Sequence, residues 1–156
     1  MDKNTDDFCI IEPSFFHMTK PKYGWTDICI GNLKSDSNYF LERASYILDV
    51  PMDILDGVLS FFKNSYHPVC INIDAEGFEY IIVITFGVVH IIKESEDLEE
   101  YEYRSYPFEI SELARDVYST ISENLDDWVD WNIYMEDRKS RRLIIQEKLR
   151  ELKKYV

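Results

Sequence analysis

Histidine and cysteine, the side chains on which most metal sites and nucleophilic centres are built, are scarce in this chain, with three of each. His17, His67 and His90 stand far apart, and none belongs to an H-E-x-x-H helix. Cys9, Cys29 and Cys70 show no C-x-x-C spacing and no zinc-like spacing with histidine. Each lies beside isoleucine or valine, so buried free thiols are expected rather than a disulfide, a metal ligand or a nucleophile. The five glycines are isolated, which excludes a phosphate-cradling loop. No apolar run can span a bilayer: Tyr80 to Ile92 is the longest, and Thr85, Gly87 and His90 interrupt it. Met1 to Asp7 lacks the basic and apolar regions of a secretory signal. A cytoplasmic protein is therefore expected, with no cofactor, no metal and no membrane contact.

Positive charge is also short over most of the chain. Residues 1–137 hold 28 acidic and 9 basic side chains, formally −19, whereas residues 138–156 hold 8 basic and 2 acidic, formally +6. A body this acidic repels nucleic acid and anionic membrane and attracts basic proteins. The basic tail has three readings: pairing with the chain's own acidic body, contact with an acidic second subunit, and contact with nucleic acid. The first is the simplest, since nearby acids oppose phosphate binding and a helix C-terminus favours positive side chains.

Core material is plentiful, at 46% apolar and 15% aromatic residues in a chain of 156. A domain of this size buries about two-thirds of its extended surface, so one domain over residues 1–156 is expected. Phe8–Ile11 and Trp25–Ile30 read as strands, with Pro13, Pro21 and Gly24 bracketing a loop. From Asp36, the spacing of Phe40, Ala44, Ile47 and Leu48 predicts a helix capped by Asp36 or Ser37. A second helix follows, with Asp49 at its cap, Pro51 in its first turn and Ile54, Leu55, Val58, Leu59 and Phe62 on its apolar face. Val69–Asp74 alternates, Ala75-Glu76-Gly77 turns, and Phe78–Ile84 is apolar on both parities, as for a central strand. Thr85-Phe86-Gly87 predicts another hairpin turn, with a bulge as the alternative, leading into Val88–Ile92. Tyr101 and Tyr103 then alternate with Glu102 and Arg104 in a late or edge strand ending near Pro107. Leu113, Ala114, Val117, Ile121 and Trp128 make a helical stripe, and Ile145, Leu149, Leu152 and Val156 mark the apolar side of a basic last helix. The expected fold is α+β: a central, mainly antiparallel sheet packed by helices, ending in an amphipathic basic C-terminal helix.

Catalysis needs unlike groups that converge, and the three histidines fall in a loop, a turn and a strand, so an enzyme is not expected. His90 reads as a structural histidine hydrogen-bonded at the sheet. Asp49, Asp53 and Asp56 share a helix face, as do Asp126 and Asp130; a solvated face, a partner-binding face and a metal site are the readings open to them. Glu94 to Glu102 carries six carboxylates in nine residues, which must face water or a cationic partner. Tyrosine buries a large area at little entropic cost and keeps a hydroxyl, so Tyr101, Tyr103 and Tyr106, with Glu99, Glu100 and Glu102, are the first candidates for binding a partner. An edge strand followed by solvated acids is the plainer reading of the same residues. Trp128 and Trp131 continue the core stripe, leaving Asp126, Asp127 and Asp130 as the second candidate group.

These features together, namely one α+β domain rich in Tyr and Trp, the Glu94–Glu102 segment, Asp126/Asp127/Asp130 and no catalytic set, resemble the small acidic cytoplasmic immunity proteins of bacterial polymorphic toxin systems, including contact-dependent inhibition systems. The resemblance implies a protein that binds and neutralises one cognate toxin domain, commonly a nuclease with a basic cleft, by occluding its active site, without touching nucleic acid itself. The alternative is an acidic regulatory or scaffold protein acting through protein contacts, including a weak homodimer formed through the last helix.

Overall fold

Alternation of side chains dictates how residues 69–107 fold. In the computed structural model, which describes residues 12–94, 100–131 and 137–156, strands β4 (Val69–Asp74), β5 (Glu79–Thr85), β6 (Val88–Glu94) and β7 (Tyr101–Pro107) form one antiparallel sheet in that order. The β4–β5 turn is closed by the Ala75 N–H donating to the Phe78 carbonyl at 2.9 Å, with Glu76 and Gly77 at positive φ. Phe86 and Gly87 make the next two-residue turn between the paired Thr85 and Val88, so the expected hairpin, rather than a bulge, joins β5 to β6.

A second antiparallel sheet precedes it: β1 (Phe16–Met18), β2 (Trp25–Gly31) and β3 (Tyr39–Ser45), with β2 in the middle. Strand β1 lies inside the expected loop, and β3 replaces the helix expected from Asp36. The reason is arithmetic. Phe40 and Ala44 are four apart, which puts two residues on one face of a helix but equally on one face of a strand. Full pairing with β2, from Trp25↔Ser45 to Gly31↔Tyr39, decides for the strand. The expected strand at Phe8–Ile11, and Cys9 within it, lie outside the described residues.

Four helices complete the fold: α1 (Val50–Lys63), α2 (Ile110–Ser122), α3 (Leu125–Val129) and α4 (Arg138–Lys153). Ile54, Leu55, Val58, Leu59 and Phe62 of α1 are buried as expected. A capping box between Glu109 and Glu112 starts α2. The stripe from Leu113 to Trp128 is buried, but it is carried by two helices: the chain breaks at Glu123 and Asn124, and the Trp128 indole donates back to the Thr120 carbonyl at 3.1 Å. Asp137 caps α4 by accepting from the Ser140 N–H. Its Ile145, Leu149 and Leu152 are buried, whereas Val156 lies past the helix and is exposed.

The core lies on one side of the four-stranded sheet. Ile71, Ile82, Ile84 and Val89 meet Phe15, Phe16 and Ile30 from the first sheet, and Ile54, Val58 and Leu113 from the helices, around one small void. Buried Asp116 of α2 fixes β1 over this core by accepting the N–H groups of Ser14, Phe15 and Phe16 at 3.1, 2.8 and 3.0 Å. The expected intramolecular use of the basic tail is found at Arg141. Its side chain is fully buried and forks onto Asp49 at 2.7 and 2.8 Å, while two further donors reach the carbonyls of Val129 and Trp128 at 3.0 and 3.1 Å. Asp49 therefore stands at the α1 N-terminus without capping it by its side chain; its carboxylate holds α4 instead. Seven residues on, Lys148 meets Asp56 at 2.5 Å, so the two helices are matched over two turns. Because removing one partner of a buried ion pair strands the other, Arg141→Ala is expected to lower unfolding free energy by about 3 kcal/mol. Arg142→Ala, on an exposed pair, should change it by less than ~1 kcal/mol in the same denaturant titration.

Candidate interaction surface

An antiparallel sheet that buries one face normally turns polar side chains outward. Here the outward face is mixed, with apolar and aromatic side chains at its centre among polar ones. Register places Cys70, Val83, His90 and Ser105 in one row across it and Asn72, Ile81, Ile92 and Tyr103 in the next, with Tyr101 beside Glu94 at the end. Ile81, Val83 and Ile92 are partly exposed, and Tyr101 and Tyr103 stand out at 69% and 61%. No described helix or strand packs on this face, since α1, α2 and the first sheet all meet the opposite one.

Tyr103 is held in place by its neighbours. The Thr85 hydroxyl donates to the Val88 carbonyl at 2.8 Å, so toward His90 Nε2, 3.3 Å away, it can only accept. That puts the imidazole proton on Nε2 and leaves Nδ1 to accept from the Tyr103 hydroxyl at 2.5 Å. The two rings also stack, with centroids 5.9 Å apart. His90 is thus the structural, sheet-bound histidine expected, and it orients an exposed aromatic ring in advance of any contact.

The other expected binding residues fare differently. Glu102 in β7 and Glu100 just before it are exposed; Glu99 lies outside the described residues. Tyr106 is buried at 7% and does not belong to the surface. Its position has the parity of Glu102 and Arg104, so its ring turns inward opposite Val89, into space that Gly31 leaves open; a Cβ there would come 2.9 Å from the ring. Counting in twos from Tyr103 would have shown this. Asp126, Asp127 and Asp130 sit apart on and beside α3, which packs against α2 and α4 rather than β7. Asp126 pairs with Arg142 and Arg138, Asp130 with Arg138 at 2.7 Å, and Asp127 lies 3.9 Å from Lys20. These acids are engaged by the chain's own cations, and only Asp127 and Asp130 border a notch, of about 310 Å³, with Tyr23, Tyr46 and Trp131.

A larger groove, about 540 Å³, runs between α1 and β4 and is lined by Leu48, Asp53, Asp56, Ser60, Cys70 and Asn72 among others. Asp49 and Asp56 have cationic partners on α4, but Asp53 between them makes no ion pair among the described residues. Burial, followed by the charges of Asp49 and Asp56, raises its carboxyl to about 6. Cys70 is exposed in this groove, contrary to the buried thiol expected, because its parity is that of the uncovered sheet face. Cys29 is partly buried, and burial with the charge of Asp27 pushes its thiol up to about 11.

Among the described residues, no three His, Cys, Asp or Glu side chains gather as a metal ion would require, and no helix is long and apolar enough to cross a membrane. Compared with known proteins, the chain matches no family model, no curated protein and no solved structure.

Two outcomes follow from these environments. A thiol reagent at neutral pH should modify Cys70 well before Cys29, as followed by peptide mass mapping. Asp53 titrates near 6 when folded against 3.8 for the ordinary carboxyl, so the folded state holds its proton more tightly. Stability from this group is fully present below about pH 4 and is lost as pH rises toward 6. Relative to Asp53→Asn, the natural protein should therefore lose stability across that window, and a denaturation midpoint difference that stays constant with pH would contradict the assignment.

Proposed function

We propose that the protein is an inhibitor of the immunity type, which binds one basic toxin domain and covers its active site. A nuclease is the favoured target class, because its phosphate-binding cleft is itself cationic. The observation that supports this reading most is the uncovered apolar and aromatic sheet face, in which Tyr103 is oriented by His90 and Tyr101 lies at the acidic end. Residues 64–107 contain nine acidic and two basic side chains, so the same stretch that bears the tyrosines also bears a strong excess of negative charge.

The division of labour is physical. Carboxylates such as Glu100 and Glu102 accelerate encounter with a cationic cleft and align it, while affinity comes from a few aromatic anchors that enter apolar recesses. Lys and Arg groups that would hold phosphate meet these acids instead, and the bulk of the sheet excludes substrate. Nothing is turned over. Asp126 and Asp130 play no part in this scheme, since Arg138 and Arg142 already hold them. The alternative, a scaffold self-associating through its last helix, has less support, because Ile145, Leu149 and Leu152 are buried in the chain's own core.

The test begins with capture of the partner from the protein's own cells, followed by an assay of the retained chain's toxic activity with and without the inhibitor. A basic chain retained one to one and silenced on binding is expected. Its association rate should fall at least several-fold between low and physiological ionic strength. Replacing both Tyr101 and Tyr103 by alanine should raise the dissociation rate at least tenfold while lowering unfolding free energy by no more than about 1.5 kcal/mol, the loss of the Tyr103–His90 hydrogen bond included. A rate indifferent to salt, or a partner indifferent to both tyrosines, would sink the proposal.

A further inference from the structure

The groove between α1 and β4 meets the open edge of the sheet, and the hydrogen-bond pattern shows which groups that edge presents. Ala75 and Phe78 form the bonded pair that closes the first hairpin. In an antiparallel ladder bonded and non-bonded pairs alternate, so Ile73↔Tyr80, Ile71↔Ile82 and Val69↔Ile84 are the bonded pairs. Cys70 and Asn72 must then direct their backbone N–H and C=O groups away from β5. Among the described residues no strand pairs with β4 on that side. The same alternation, followed from the Thr85↔Val88 turn across β6, turns Tyr101, Tyr103, Ser105 and Pro107 outward at the opposite edge. Proline, having no N–H, is tolerated at such an outward position, which checks the assignment independently.

The two edges differ in how they are protected. At β7, Pro107 interrupts the donors and charged Glu102 and Arg104 flank them, devices that discourage strand pairing. At β4 the outward groups belong to Cys70, Asn72 and Asp74; Pro68 stands before the strand rather than within it, and the one charge on this edge, Asp74, is negative. Beside them lies open space of about 540 Å³, within the range of built ligand sites, roughly 300–1,000 Å³.

We propose that the β4 edge is a strand-addition site that takes an extended, lysine- or arginine-bearing segment of a partner protein. The backbone of the segment pairs with Cys70 and Asn72, and a cationic side chain on its α1 side reaches Asp53. Charge decides the occupant. Asp49, Asp53 and Asp56 face two cations, Arg141 and Lys148, and among the described residues Asp53 is the one that makes no ion pair. A second copy adding through its own β4 would bring two such acidic helix faces together, which like-charge repulsion opposes. Main-chain pairing supplies affinity in this mode and alternate side chains supply selectivity. The inference rests on the edge and its groove and is independent of the tyrosine face.

The experiment uses the full isotopically labelled chain and a capped peptide of about eight residues alternating lysine with valine. The amide signals of Cys70 and Asn72 should shift saturably, and their hydrogen exchange should slow at least tenfold. The same peptide with glutamate for lysine should not bind. A version N-methylated at alternate residues on its pairing edge should bind at least tenfold more weakly. Asp53→Asn should weaken the lysine peptide several-fold while the same two amides still respond, which separates a local charge effect from misfolding. No shift at millimolar peptide, equal binding of the N-methylated peptide, shifts centred on Tyr101 to Ser105, or concentration-dependent shifts at Cys70 without peptide would each overturn it.

Discussion

A four-stranded antiparallel sheet that the described helices and strands cover on one face only is the constraint from which the rest follows. Helices α1 and α2 and the first sheet all meet the side bearing Ile71, Ile82, Ile84 and Val89. The other side carries Ile81, Val83, Ile92, Tyr101 and Tyr103 where water would favour polar groups. Exposed apolar and aromatic side chains grouped in this way are what supports the proposal of a partner contact here. It also explains why Phe78–Ile84 reads as apolar on both parities: one parity serves the core, and the other serves the outward face.

The charge split has a structural counterpart. The basic tail folds back as α4 and places Arg141 and Lys148 on Asp49 and Asp56, with Arg138 and Arg142 on the acids of α3. Positive charge is thereby concentrated at the helical side of the molecule and neutralises acids there. The stretch from β4 to β7 keeps its own excess of carboxylates. Only Arg141, buried and held by four hydrogen bonds, contributes much to stability among these pairs; the exposed ones shape the field more than they hold the fold.

Much of this was legible in the residues. Strand β2, both hairpins of the four-stranded sheet, the apolar faces of α1 and α4, the buried tryptophans and the structural role of His90 follow from period, turn chemistry and composition. Four features did not follow. Phe40 and Ala44, four apart, satisfy a helix and a strand alike, and only long-range pairing with β2 separates the two. Proximity in sequence groups Tyr106 with Tyr101 and Tyr103, although its parity sends it into the core. Cys70 has the apolar neighbours of a buried thiol, but a strand buries alternate residues, and the inward positions go to Val69 and Ile71. Partner choice for Asp126 and Asp130 depends on how α4 returns across the fold, which no local pattern encodes.

Amide hydrogen exchange on the chain, free and saturated with its captured basic partner, tests the central claim most directly. The account predicts slowed exchange concentrated in residues 81–83, 90–92 and 101–105. Protection confined to α2, α3 and α4, with those three segments unchanged, would contradict it.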